Sequence, residues 1–310
     1  MEWTILGAGA IGCLWGASLQ QAGLDVTLIL RDAARLQQFR QIGGIRLTRD
    51  SEQRLCPVNA SLARDARPIE RLLLCTKAFD TEAALRVVLP LLRPASRVLV
   101  LQNGLGNQQL ATELVGVGRL FAGSTTDGAW LQGPFDVVHA GRGETAIGTF
   151  DGRADNLIDE LPAGFGLQLR ADPDIETTLW RKLAINCAIN PLTAIHGCRN
   201  GELARVPEYR QHLVRLCEEF EQVAAARHIQ LFDTPLVDQA LRVATATGTN
   251  YSSMLQDIRH RRRTEIEQIS GYLCREADRL GIAVPTHREM LHLVKELECS
   301  GQVGDHRYGK

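Results

Sequence analysis

The chain has no excess charge of either sign, no paired-cysteine motif and no long apolar run, and each shortage removes a class of protein. Its 35 Lys and Arg stand against 36 Asp and Glu, a formal net charge of −1. No global field therefore draws it to nucleic acid or to an acidic membrane. The local run Arg259 to Arg263 reads as a solvated helix face. Eight cysteines occur without a C-x-x-C pair, several inside apolar stretches. That usage suits buried thiols in a reducing cytosol rather than a disulfide frame, and neither zinc nor another metal is expected. The first residues carry no basic leader, and the apolar stretch from Ile5 to Leu19 is broken by glycines and too short to span a bilayer. A cytoplasmic protein without signal peptide or transmembrane helix is the expectation.

What is present is 310 residues, 45% hydrophobic and 23% charged, enough for two domains. Trp3 to Leu6 reads as a strand, Gly7-Ala8-Gly9-Ala10-Ile11-Gly12 follows at once, and an apolar helical segment runs on to Ala22. This is G-x-G-x-x-G in its strand-turn-helix context. Gly7 serves the tight turn, Gly9 the approach of a pyrophosphate and Gly12 the close packing of the helix, whose N-terminus offers donors. Asp25 to Leu30 forms the second strand, with Arg31 at its end. Arg there can pair with a ribose 2′-phosphate, which favours NADPH over NADH. Asp32 could instead point back to the ribose, and a plain surface Arg is the competing reading. Two further strands end in Lys77 and in Asn103-Gly104, where ligands of open α/β sheets bind, although a surface lysine and a simple turn would look the same. Strands at 120–125, 136–139, 145–149 and 167–170 extend the sheet with antiparallel members.

Strand signals all but vanish after Asp172-Pro173, which is read as the start of a capped helix. The expected organisation is therefore an α/β fold, with an N-terminal Rossmann-type dinucleotide-binding domain at 1–172 and a C-terminal all-helical domain at 173–310. Helices are expected near 174–194, 208–228, 234–246, 253–280 and 286–298, with a polar, mobile tail from Ser300.

The first of these helices carries the most informative stretch. At about 100° per residue, Lys182, Asn186 and Asn190 fall within roughly 80° of one another, a polar stripe on an otherwise apolar helix. Such a stripe needs a ligand or a network, unless it simply faces solvent. Asn190-Pro191 is expected to kink or end the helix. Within 253–280, Ser253 and Gln256 look like a capping box, and helical projection puts Glu265 on the apolar face. An acid there needs a cation or a donor, and a packing salt bridge would also serve.

Together these residues resemble the ketopantoate reductase family over nearly the whole chain. The resemblance rests on Gly7 to Gly12, Leu30-Arg31, Thr76-Lys77-Ala78, Gln102 to Gly106, Leu179 to Ala194, Asn200 to Leu203, and Ser252 to Arg259 through Glu265. It implies NADPH-dependent reduction of 2-dehydropantoate to pantoate, on the route to pantothenate and coenzyme A. Lys182 matches the proton donor and Glu265 an acid associated with cofactor and hydroxyl binding. Asn186, Asn190, Asn200, Asn250 and Ser253 match substrate-side positions. Gly7 to Gly12, Arg31, Lys77 and Asn103 match cofactor positions, and Ala129 a backbone contact near the nicotinamide. Asp127 to Trp130, His196-Gly197 and the tail length depart from the family pattern and put the substrate in more doubt than the reaction. The expected partner is a small 2-oxo acid, with a homodimer left open. A reductase of another 2-oxo acid and a non-catalytic nicotinamide sensor are the alternatives; a sensor has no evident need of Lys182.

Overall fold

Alternation along a few strands builds two apolar cores on opposite faces of one sheet. In the computed structural model, which describes residues 2–152, 157–162 and 164–300, the chain opens with β1 (Glu2–Leu6), α1 (Ala10–Gln21), β2 (Asp25–Leu30) and α2 (Ala33–Ile42). There follow β3 (Ile45–Arg49), β4 (Glu52–Cys56), β5 (Asn59–Leu62), β6 (Ile69–Leu74), α3 (Thr81–Val88), β7 (Leu92–Val100) and α4 (Asn107–Val115). Then come β8 (Leu120–Thr125), β9 (Gly128–Gly133), β10 (Asp136–Gly141), β11 (Glu144–Gly148) and β12 (Gln168–Ala171). Eight strands form one sheet in the order β12-β11-β8-β7-β6-β1-β2-β5. From β8 to β5 the neighbours are parallel, while β11 runs antiparallel to β8. Trp3, Ile5, Leu73 and Leu99 point to the core shared with α1. Leu6, Leu72, Leu74, Val98 and Val100 point to the other core, with Leu85 of α3 and Ala111 of α4. Burial on both faces explains why these strands read as unbroken apolar runs.

A second sheet, in the order β4-β3-β10-β9, covers the outer side of α1. Sandwiched this way, α1 is buried from Gly12 to Leu19; a Cβ on Gly16 would stand 2.9 Å from Ile45 of β3 and 3.1 Å from Ile5 of β1. The second sheet is an addition to the sequence reading, which left 45–62 and β9 without strands.

The helical elements are α5 (Ile175–His196), α6 (Glu202–Arg205), α7 (Pro207–Ala226), α8 (Leu236–Ala246), α9 (Ser253–Arg259), α10 (Ser270–Leu280) and α11 (Pro285–Ser300). The chain divides into two units, residues 2–102 with Asn107–Glu176 and Asn103–Gly106 with residues 177–300. In the second, Trp180 of α5 meets Phe220 and Tyr272 edge-on at 5.8 and 6.0 Å. Glu219 of α7 accepts hydrogen bonds from the backbone N–H groups of Thr286 (2.8 Å) and His287 (3.0 Å), capping α11.

Several expectations are corrected. Pro191 lies inside α5, so the helix does not end there. The helix begins at Ile175, and Asp172 accepts from the N–H of Asp174 in the preceding turn. The stretch 253–280 is two helices, because Arg261 adopts a φ of 52° and the N–H of Thr264 turns to Glu298. Glu265 therefore sits between helices, and the basic run Arg259 to Arg263 starts on the last residue of α9 and continues through the turn after it. The N-cap of α9 is Ser252, one residue earlier than read, its hydroxyl accepting from the N–H of Leu255 at 3.1 Å. The tail beyond Ser300 lies outside the described residues.

Candidate active site

In the first unit the glycine loop joins β1 to α1 under tight steric limits. Gly7 has a φ of 114°, and a Cβ there would lie 2.5 Å from the backbone of Cys75 and Thr76. On Gly12 a Cβ would fall 1.9 Å from the carbonyl oxygen of Gly7. Gly9 differs, since nothing lies within 4 Å of its Cβ position. No side chain caps α1, whose first-turn N–H groups include those of Ala10 and Ile11. Ala8 is half-buried against the α1 core.

Lys77 follows the carboxyl end of β6. Its turn is fixed by Gln102, whose amide donates to the carbonyl and the hydroxyl of Thr76, both at 2.9 Å. Gln102 in turn accepts from the hydroxyl of Thr81 at 3.0 Å. Arg31, at the end of β2, is exposed and pairs with Asp32 at 3.0 Å. The other Asp32 oxygen accepts from the N–H of Arg35 at 2.7 Å and so caps α2. That cap, more than the neighbouring guanidinium, holds the Asp32 carboxyl below its ordinary range. Ala129 lies on β9 opposite His139, half-buried against the α1 core.

In the second unit α5 presents Lys182, Asn186 and Asn190, with Asn190 buried and Asn186 half-buried. Lys182 as a residue is half-buried, and its ammonium lies deep. Burial pushes it down to about 8, against the opposing pull of Glu265. Glu265 itself is buried and accepts from the amide of Asn103 at 3.3 Å. Asn103 reaches it because Gly104, at a φ of 80°, has its Cβ position 2.5 Å from the carbonyl oxygen of Gln268, a distance only glycine tolerates, and Leu105 N–H bonds that oxygen at 3.0 Å. Sequence reading found both charges but placed Glu265 on the wrong kind of element.

Asn200 and Asn250 are brought together, the N–H of Asn200 donating to the carbonyl of Asn250 at 3.0 Å. The Asn200 amide donates to Thr247 at 2.9 Å, while its buried Oδ1 accepts no hydrogen bond among the described residues. Ser253 is the exposed first residue of α9. Beside it stands a pair that sequence reading missed, the hydroxyls of Thr193 and Ser252 at 2.6 Å, both buried. They join α5, just past Asn190, to the cap of α9. No local pattern signals them, because the partners are 59 residues apart.

A parallel sheet with this glycine loop, joined in one chain to a helical unit carrying a desolvated lysine, defines a dinucleotide-dependent oxidoreductase. Residues 3–152 match the family described as ketopantoate reductase PanE/ApbA, and residues 174–298 match its C-terminal counterpart. The chain belongs to the ketopantoate reductase family. It is 36% identical over 303 residues to the 2-dehydropantoate 2-reductase of Vibrio cholerae, covering 97% of this chain and 99% of that one. A PanE/ApbA family ketopantoate reductase structure from Ralstonia eutropha shares 32% identity at a TM-score of 0.88, over 97% and 100% of the two chains. A ternary structure of D-mandelate dehydrogenase with NADH and anilino(oxo)acetate shares 28% at 0.89, over 98% and 100%.

Proposed function

We propose that the chain reduces 2-dehydropantoate to pantoate with NADPH, Lys182 giving the proton. The observation that carries this reading is Lys182 itself, a lysine desolvated until it titrates near 8 and still tied electrostatically to Glu265. When bound, the dinucleotide supplies the hydride. As the ketone carbon is reduced, negative charge develops on its oxygen, and the Lys182 ammonium stabilises that oxyanion and protonates it. At neutral pH the lysine remains mostly charged, yet it parts with its proton far more readily than a solvated lysine does. Glu265 keeps it from falling further and, through Asn103, fixes the strand-end turn. Asn186 and Asn190 continue the polar stripe. The unsatisfied Oδ1 of Asn200 suits a substrate hydroxyl, and Asn250 and Ser253 supply further polar contacts for the carboxylate end.

The glycine loop fits the dinucleotide. Open space at Gly9 and the uncapped start of α1 suit a pyrophosphate. Arg31 suits a 2′-phosphate because Asp32 is committed to capping α2, and the exposed Arg31–Asp32 pair is cheap to exchange. Lys77 and the backbone of Ala129 complete the cofactor side of the reading. The divisions at 1–172 and 173–310 correspond to cofactor and substrate functions, and eight free cysteines suit a cytoplasmic setting. No helix among the described residues is long and apolar enough to cross a membrane.

The likeness to D-mandelate dehydrogenase with NADH supports a second reading, a reductase of another 2-oxo acid. Oxidation of NADPH and NADH measured against a panel of 2-oxo acids, 2-dehydropantoate and an aryl 2-oxo acid included, decides between them. The highest kcat/KM for 2-dehydropantoate with NADPH is expected, and a preference for the aryl acid would replace the first reading with the second.

A further inference from the structure

The connection from β8 to β9 contains a buried charged network that the reading above leaves unused. Asp127 and His139 each expose only 2% of their side chains. Arg49 Nε donates to His139 Nδ1 at 3.1 Å, so Nδ1 is the bare nitrogen and Nε2 carries the hydrogen. Nε2 donates that hydrogen to Asp127 Oδ1 at 2.9 Å. The same oxygen accepts from the N–H of Gly143 at 3.0 Å, and Oδ2 accepts from the hydroxyl of Thr125 at 3.0 Å. At the far end Arg49 donates to Ser18, wholly buried on α1, at 3.1 Å. One chain of bonds thus joins α1, β3, β10 and the first residues after β8. A carboxylate and a guanidinium balance each other through a neutral imidazole whose tautomer both ends dictate.

The position of this network gives it a consequence. β2, β1, β6, β7 and β8 run parallel, so Arg31, the glycine loop, Lys77 and Asp127 leave the sheet at one edge, the edge where open α/β sheets bind ligands. Arg31 lies on the β2 side of the loop and Asp127 on the opposite side, beyond β6 and β7. A dinucleotide held with its 2′-phosphate at Arg31 and its pyrophosphate at Gly9 would have its reactive ring on the β6–β8 side of the loop.

We propose that Asp127 and His139 are positioning residues for that ring, holding the backbone after β8 rigid without touching the reacting atoms. The proposal rests on the cofactor reading above but not on the identity of the substrate. Its test uses the full chain with Asp127→Leu, Asp127→Asn and the milder His139→Gln, which serves if Asp127→Leu does not fold. The Kd for NADPH and the fluorescence lifetime of the bound nicotinamide are measured in the binary complex. The deuterium isotope effect on turnover is measured with NADPH labelled at the transferred position. Asp127→Leu should leave Kd within about threefold, shorten the lifetime, raise the isotope effect and lower kcat by roughly tenfold or more. Asp127→Asn, which keeps the acceptor for His139, should recover most of each. A folding defect alone would lower kcat in proportion to folded protein with lifetime and isotope effect unchanged, and that result would overturn the proposal. If the unmodified protein fails to reduce 2-dehydropantoate while the lifetime still responds to Asp127→Leu, the substrate reading falls and this one stands. Failure to bind either dinucleotide removes both.

Discussion

Lys182 is held between two opposing forces. Burial strips water from its ammonium, Glu265 attracts it, and burial prevails, to about 8. Because the protonated form is the donor, the rate of reduction should decline as pH rises through about 8, and a pH profile of kcat/KM will show whether that limb exists. Lys182→Ala should lower kcat by roughly 10² to 10⁴ and abolish the limb while NADPH still binds. Loss of cofactor binding instead would make Lys182 a structural residue. Arg31 offers a separate test. Its exposed pair with Asp32 is weak, whereas a bidentate contact to a 2′-phosphate is worth about 1.5 to 3 kcal/mol. Arg31→Ala should therefore weaken NADPH by roughly tenfold or more and NADH little, as titration of the two dinucleotides would register. Equal losses for both would deny Arg31 any part in choosing between them.

Among the elements, the segment between α9 and α10 shows how a buried acid is placed without a helix beneath it. Glu298 of α11 accepts from the N–H of Thr264 at 2.6 Å, and the hydroxyl of Thr264 accepts from the N–H of Ile266 at 3.2 Å, bracketing Glu265. Lys295, also on α11, pairs with Glu267. Glu298→Ala should cost roughly 1 to 2 kcal/mol in kcat/KM, about fivefold to thirtyfold, with Glu298→Gln close to the unmodified protein. Equal loss in both variants would mean the tether matters only as charge. This segment also marks how far local pattern reaches. Glu265 stood out as an acid among apolar neighbours, but the periodicity runs straight across a break made by a partner 34 residues away. The smaller sheet was hidden for another reason. β4 is exposed along Glu52 to Leu55 and β9 alternates around glycines, so neither shows an apolar rhythm until it pairs with its neighbour. By contrast, the parallel strands and α1, buried on all sides, wrote their structure plainly into sequence. The polar stripe on α5 was equally readable. Its continuation through Pro191 was not, since Asn190-Pro191 is a local stop signal that tertiary packing overrides.

At the scale of the whole molecule, the helical unit brings a sensitivity to acid. His287 is wholly buried in the helical unit, its Nε2 donating to the carbonyl of Leu216 at 3.0 Å, and burial pushes it from an ordinary 6.5 down to about 4. The unfolded chain takes up that proton first, so the contribution of His287 is complete above 6.5 and is lost as pH falls toward 4. Denaturant unfolding at pH 7 and pH 5 should show the loss, and His287→Asn, less stable at pH 7, should lose less on acidification. An identical pH dependence in the two proteins would absolve the imidazole.

The allocation of Asn103–Gly106 to the helical unit, though the chain around it builds the sheet, has a consequence for biosynthesis. Asn103 and Glu265 are separated by 162 residues, and a ribosome adding roughly 5 to 20 residues per second takes about ten to thirty seconds to bridge that interval. Through it, Leu105, only 1% exposed in the finished protein, has been made while Gln268, the acceptor for its N–H, has not. The turn at the end of β7 is thus a nascent-chain feature as well as a native one, a four-residue stretch with one apolar side chain, Leu105, that stays open to chaperones and proteases until only about the last seventh of the protein remains to be translated.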